Sequence, residues 1–453
     1  MPDLKKAGPG GSNLLSALQM AARLEAGAMT SVSLTENCLA RIEARDGDLH
    51  AWAYVDPEEA LAQARARDSE SRRSALHGIP VGIKDIFDTH DMPTTYGSSI
   101  YAGFQPTVDS VVVALMRRAG MVILGKCTTT EFASPVPIGV RNPHDLSRSP
   151  GMSSSGSAAA VADYMVPLAV GSQTGGSTIL PAAYCGIVGY KATLTGIDRG
   201  NIRHLRPTLD TIGLLARSVA DVAGLRSILC GDGGHPLPRA AIETLRIGLC
   251  RTDQWRQAQP ETVAAVEAAA TALSRMGAKV SEFALPPEFN DIAESFRIIS
   301  AIEAARALAY EAREHADRLN FWVRDSLAAA KQLDPACYEK AQRHAIECQR
   351  ALSEIFRQFD VLLTPSVPGE APADLDSISN SAFNRTWTLM QAPCVTLPTA
   401  TGPNGMPVGI QLVGPVGCDL KTLSVAQAIA DRLCVRDRDT NELGLEAWTS
   451  HPR

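Results

Sequence analysis

The chain has 453 residues, of which 45% are hydrophobic and 20% charged, and a formal net charge of −6. That length can bury a sizeable core, the balance is that of a soluble globular protein, and the negative charge gives no basis for nucleic acid as a partner. The opening MPDLKKAGPGGSN lacks the apolar core of a secretory signal and no apolar run reaches the length of a membrane span, so a cytoplasmic protein without membrane association is expected.

Residues 12 to about 75 show apolar positions at helical spacing, through Leu14, Leu15 and Leu18 and again through Leu39, Ile42 and Ala60 to Ala64. From Ile79 the texture changes to short apolar runs set off by Gly and Pro: IPVGI (79–83), MVILG (121–125) and VPLAVG (166–171). Helical patterns separate them, and such alternation predicts an α/β fold with a mixed, mostly buried sheet covered by helices. Within this region GMVILGKC (120–127) nearly matches a phosphate-binding loop. Its last position is Cys127, however, so the magnesium-binding hydroxyl is absent, and Met121 to Leu124 form a continuous apolar strand.

GDGGHPLPR (231–239) is the best subdomain boundary. Beyond it, LRIGLC (245–250), a helix from Pro260 and AKVSEFAL (278–285) read as a β-α-β unit. Residues 287–357 read as wholly helical, and DVLLTP (360–365) and VTLPTATGPNGMPVGIQLVG (395–414) as strands, with Asn404-Gly405 a hairpin turn. These changes of texture divide the chain into the parts 1–75, 76–230 and 231–453, a length that suits one large domain or two to three ordinary ones. Ten cysteines show no C-x-x-C spacing, which supports neither a zinc ribbon nor a redox pair and suits free thiols in a reducing compartment.

The chemistry concentrates in SPGMSSSGSAAAVA (149–162) and GSQTGGSTILPAAYCG (171–186). Small residues before a helix gather backbone N–H groups that suit an oxyanion, and the hydroxyls beside them are candidate nucleophiles. A serine attacks an amide only when a base takes its proton. None of the nine His lies in these loops, no G-x-S-x-G elbow is present, and His144 in NPHDLS reads as a loop residue. Lys84, at the end of the strand pattern in HGIPVGIKDIFD (77–88), is either a base kept neutral by desolvation or a surface residue.

GIPVGIKD, SPGMSSSGSAAAVA and GSQTGGSTILPAAYCG together closely resemble the amidase signature family, whose members hydrolyse carboxamides and in some cases carbamates or ureas. Further matches, including GKCTTTEFA (125–133), DVLLTPSVPG (360–369) and GMPVGIQLVG (405–414), cover most of the chain except 287–357. The resemblance implies a single α/β domain that includes all three parts, a large twisted mixed sheet covered by helices. It makes Ser177 the nucleophile, Ser153 a bridging serine after a cis peptide bond, and Lys84 the neutral base. Backbone N–H groups of Thr174, Gly175 and Gly176, with that of Ser177, would form the oxyanion hole, and Ser154 and Ser172 would orient the network. Neither metal nor organic cofactor is implied.

Family members usually carry Gly-Gly-Ser-Ser where this chain has Gly151-Met152-Ser153-Ser154, so a retained cis bond would join Met152 to Ser153. Ser155 likewise replaces a usual Gly. Relatives often place an Arg shortly after the nucleophile, where it can pair with a substrate carboxylate; here Ile179 and Leu180 stand instead. A neutral, partly apolar amide is therefore expected, touched by Met152, Gln173 and Ile179. Phe296, Phe321, Trp322, Trp387 and Met390 are candidates for the wall of its pocket or for ordinary core packing. The expected partner is thus a small-molecule amide or carbamate, and assembly as a monomer or a homodimer stays open. The glutaminase component of a tRNA-dependent amidotransferase and a non-catalytic scaffold are the competing readings.

Overall fold

The computed structural model describes residues 11–232, 236–376 and 378–434. Eleven strands form one sheet: β1 (Trp52–Val55), β2 (Pro80–Lys84), β3 (Val122–Cys127), β4 (Leu168–Gln173), β5 (Val188–Lys191), β6 (Thr211–Ala216), β7 (Arg246–Cys250), β8 (Lys279–Phe283), β9 (Val361–Pro365), β10 (Cys394–Thr401) and β11 (Pro407–Val413). Their order is β1-β3-β2-β4-β6-β5-β10-β11-β9-β7-β8, so strands from both halves of the chain share the sheet. β2 runs parallel to β3 and β4, and β7 parallel to β8 and β9, while antiparallel pairs link the two groups. The sheet is thus mixed, as the alternating pattern predicts.

Strands buried on both faces read as continuous apolar runs, and β2, β3, β4 and β6 are buried at every position. The runs 79–83, 121–125 and 166–171 fall on β2, β3 and β4 within two residues. No pattern in the sequence marks β1, β5 and β6. β1 has four residues between helices, β5 follows a turn with a Gly at its centre, and β6 sits in a polar neighbourhood. All three are held by pairing with strands that are distant or that reverse the chain.

Side-chain caps define the helices around the sheet. Ser16 and Gln19 bond reciprocally at one helix start, Thr30 and Ser33 at the next, and Asp56 accepts from Glu58 and Glu59 ahead of Pro57. The 287–357 stretch is helical, in Ile292–Ala307, Ala309–Glu314, Phe321–Ala330 and Pro335–Ile355. Gly405, at φ +80°, turns the hairpin between β10 and β11. The boundary stretch 231–239 lies partly outside the described residues. None of the described helices is long and apolar enough to cross a membrane.

Lys126, in the near-match to a phosphate loop, is fully buried in β3. It pairs with Asp85 at 3.1 Å and donates to Thr94 Oγ1 at 2.6 Å and to the Phe87 carbonyl at 2.8 Å. This lysine is an internal brace between β3 and the 85–94 loop, with no path to a phosphate.

Candidate active site

Parallel strands deliver their C-terminal ends to one crevice. β2 ends in Lys84 and its parallel neighbour β4 ends in Ser172 and Gln173. Lys84 Nζ lies 2.7 Å from Ser153 Oγ, 2.8 Å from Ser172 Oγ and 3.1 Å from Ser154 Oγ. The side chain is fully buried. Desolvation pushes its pKa down to about 7, against a smaller opposing pull from the Asp210 carboxylate. Of the two readings open for this residue, the surface one is removed.

Ser153 and Ser154 precede the helix Ser155–Ala162, whose SGSAAAVA sequence has side chains small enough for the backbone to pack directly on β2 and β4. A Cβ on Gly156 would stand 2.5 Å from the Ala51 carbonyl oxygen, so only glycine fits there. Ser154 Oγ accepts from the Ser172 N–H at 3.2 Å and donates to the Ser172 carbonyl at 3.1 Å, which locks this loop to the end of β4. Gly151, at φ +116°, lets the chain pass close to the next loop; a Cβ there would lie 2.5 Å from Leu180 Cδ2. Leu180 is therefore a packing residue. No peptide bond is cis among the described residues, so the Met152–Ser153 bond is trans, contrary to the resemblance. Trans is the ordinary state of a non-proline bond, favoured by ~2.5–4 kcal/mol.

Ser177 occupies the turn between β4 and the short helix Ile179–Tyr184. Gln173 builds this turn: its Oε1 accepts from the N–H groups of both Thr178 and Ile179 at 3.0 Å, and its Nε2 donates to Thr388 Oγ1 at 3.2 Å. Gln173 is fully buried and so lies behind the loop, which places it away from the substrate contact expected of it. The Thr174 hydroxyl donates to the Asp210 carboxylate. Among the described residues, the N–H groups of Gly175, Gly176 and Ser177 meet no acceptor. Buried amides are almost always paired, so these three donors are available to an incoming oxygen. Ser177 as a residue is 2% exposed, and its hydroxyl makes no hydrogen bond to Ser153.

Ile179 belongs to a buried apolar cluster with Phe296, Ile299, Trp387 and Met390, which brings the helical insert against the Ser177 turn. Met152, half-buried, packs on Leu180, Tyr184 and Met406. Phe321 and Trp322 do not join them. At 60% and 48% exposure they meet edge to face at the surface, because their helix turns its Val323 and Leu327 face inward. His144 is an exposed loop residue whose Nε2 lies 2.9 Å from the Cys185 carbonyl. Two contributors escaped the sequence reading. Ser381 and Asn384, some two hundred residues downstream of the loop, cover Gly175 and Gly176. Nothing local in the sequence marks them.

A buried amine ringed by serine hydroxyls thus lies beside a turn whose backbone donors meet no acceptor. The chain belongs to the amidase family, whose model matches residues 33–423. It is an amidase-family hydrolase of C–N bonds. A glutamyl-tRNA(Gln) amidotransferase component from Chloroflexus aggregans is 35% identical over 447 residues, spanning 86% of this chain and 91% of that protein. A solved amidase superposes with TM-score 0.84 at 30% identity, over 92% of this chain and all of that one. The peptide amidase of Stenotrophomonas maltophilia superposes with TM-score 0.80 at 29% identity, over 93% and 97% of the two chains.

Proposed function

We propose that the chain hydrolyses small carboxamides through an acyl-enzyme on Ser177, with Lys84 as base and Ser153 as the proton carrier between them. The observation that carries this reading is the 2.7 Å contact of a fully buried Lys84 amine with Ser153. At neutral pH a substantial fraction of that amine is uncharged and its lone pair can accept the Ser153 proton. Ser177 then passes its own proton to Ser153 as its oxygen attacks the carbonyl carbon. Apo sites commonly hold such contacts loosely until substrate tightens them. The carbonyl oxygen, becoming an oxyanion, is met by the N–H groups of Gly175, Gly176 and Ser177, and each such donor is typically worth ~10²–10³ in kcat.

As the C–N bond breaks, the proton returns from Lys84 through Ser153 to the leaving nitrogen. A water molecule then attacks the Ser177 ester, its proton taken by the same pair, and releases the carboxylic acid. A carbamate would follow the same course through an alkoxycarbonyl or carbamoyl enzyme. Mass spectrometry of enzyme quenched during turnover of an anilide, an aryl carbamate and a short aliphatic amide tests the proposal. An acyl adduct on the peptide bearing Ser177 is expected, and turnover without one would remove Ser177 as nucleophile.

The glutamyl-tRNA(Gln) amidotransferase relatives favour a second reading, the glutaminase part of such a complex. It predicts glutamine as the preferred amide and co-purification with other protein chains.

A further inference from the structure

Arg385 is joined to the loop that carries Ser177 through Ser381, and it takes no part in the proton relay. It lies on the helix Ala382–Leu389, and its Nε donates to Ser381 Oγ at 3.0 Å. Ser381 is seated on the oxyanion glycines: a Cβ on Gly175 would lie 3.2 Å from Ser381 Oγ, and one on Gly176 2.9 Å from Ser381 Cβ. The Arg385 guanidinium carbon is 6.0 Å from the centre of the Phe296 ring, whose Cζ is 3.9 Å from the same Gly175 position.

The side chain is open to solvent, yet desolvation lowers its pKa with no charged group acting to raise it. Ser381 engages one of its five N–H donors, which leaves the outer fork of the guanidinium free. Arg206, which bonds to the helix that carries Phe296, offers a contrast. Its Nε donates to Ser300 Oγ at 2.6 Å, and Ser300 follows Phe296 by one turn. Asp210 and Glu303 offset the Arg206 charge, whereas nothing offsets that of Arg385.

An uncompensated, partly desolvated guanidinium fork is matched geometrically by a carboxylate. We propose that Arg385 receives a carboxylate on the acyl part of the substrate, so that this enzyme acts on the monoamides of short dicarboxylic acids. The amide carbonyl rests on the Gly175–Ser177 donors, the methylene chain lies along Phe296, and the acid reaches the Arg385 fork. The charge that the sequence lacks after Ser177 is supplied from a helix two hundred residues away, and the neutral substrate expected from Ile179 and Leu180 gives way to an acidic one. The inference rests on the reading of Ser177 as acyl acceptor.

The test compares kcat/KM for the monoamide of a short dicarboxylic acid with that for the same chain ending in a methyl group. Fluorophosphonate labelling of Ser177 is run alongside. Wild type is expected to prefer the acid. Arg385→Gln should cut the acid-to-neutral ratio by roughly ten- to a hundredfold, as expected for loss of a charged hydrogen-bonded pair, chiefly through KM. Arg385→Glu should turn the preference toward an amide ending in an amine. A wild-type preference for the neutral amide, or a ratio unmoved in both variants, with Ser177 still labelled, overturns the inference and leaves the acyl-enzyme reading intact. Absence of both labelling and turnover in wild type overturns the two together.

Discussion

The Lys84 amine and the Ser153 hydroxyl meet at 2.7 Å at the end of a strand whose every residue is buried. An amine so enclosed loses hydration only its charged form needs, and its pKa is pushed down to about 7. Protonated Lys84 cannot accept the Ser153 proton, so kcat/KM should fall as pH drops through about 7 and hold level above it. A pH–rate profile checks this, and a limb near the ordinary lysine value of 10.5 would show an amine still in contact with water. In Lys84→Ala, kcat should fall by ~10²–10⁴, the usual worth of a general base.

Ser177→Ala should abolish turnover and leave the fold unchanged. Its hydroxyl has no hydrogen-bond partner among the described residues, so no donor or acceptor is orphaned by its removal. Removing a nucleophile of this kind costs on the order of 10⁶ in kcat. A melting curve superimposable on wild type, with loss of fluorophosphonate labelling, is the expected pair of results. A large drop in melting temperature would mean that the hydroxyl has a structural partner.

Much of the site was legible because it is local. Lys84, Ser153 and Ser177 sit in three short motifs, and the structure gathers Lys84, Ser153, Ser154 and Ser172 within one hydrogen-bonding radius. What was not legible depends on long-range packing. The periodicity that shows 321–330 to be a helix does not fix which face meets the body of the protein, so Phe321 and Trp322 were candidates for a wall and are surface residues. Gln173 resembles a substrate contact in a Gly/Ser-rich loop. Only the fold shows its amide turned inward beneath Thr178 and Ile179. Ser381 and Asn384 reach the loop from the start of a helix with no motif of its own, and Arg385 reaches it only through Ser381.

Gln173→Ala should therefore be harmful for a structural reason. It strips the acceptor from two N–H groups at the start of the helix after Ser177. Each buried donor left unpaired costs about 1–3 kcal/mol, so a loss of stability of that order is expected. Because the same bonds set the position of Ser177, kcat should fall as well. Denaturant melts and steady-state kinetics on the same preparation check both, and a change in KM alone with stability intact would return Gln173 to the substrate side.

Gly171 and Gly47 give a prediction of opposite signs for the same substitution. An alanine Cβ at Gly171, within β4, would lie 2.7 Å from Ser154 Oγ and 3.1 Å from Leu215 Cδ1. Ser154 is tied to the main chain of Ser172 and to Lys84, so it can yield only by disturbing the contacts of the amine. Overpacking of this kind costs typically ~1–3 kcal/mol, and a fall in kcat with little change in KM should accompany it. Gly47 lies inside the helix Ser31–Leu49, where an added Cβ meets nothing within 4 Å. There alanine should stabilise by ~0.5–1 kcal/mol, through helix propensity alone, and leave kinetics untouched. Paired melts and kinetics on Gly171→Ala and Gly47→Ala decide the matter: if both shifted stability alike, the crowding around Ser154 would not be what demands glycine at position 171.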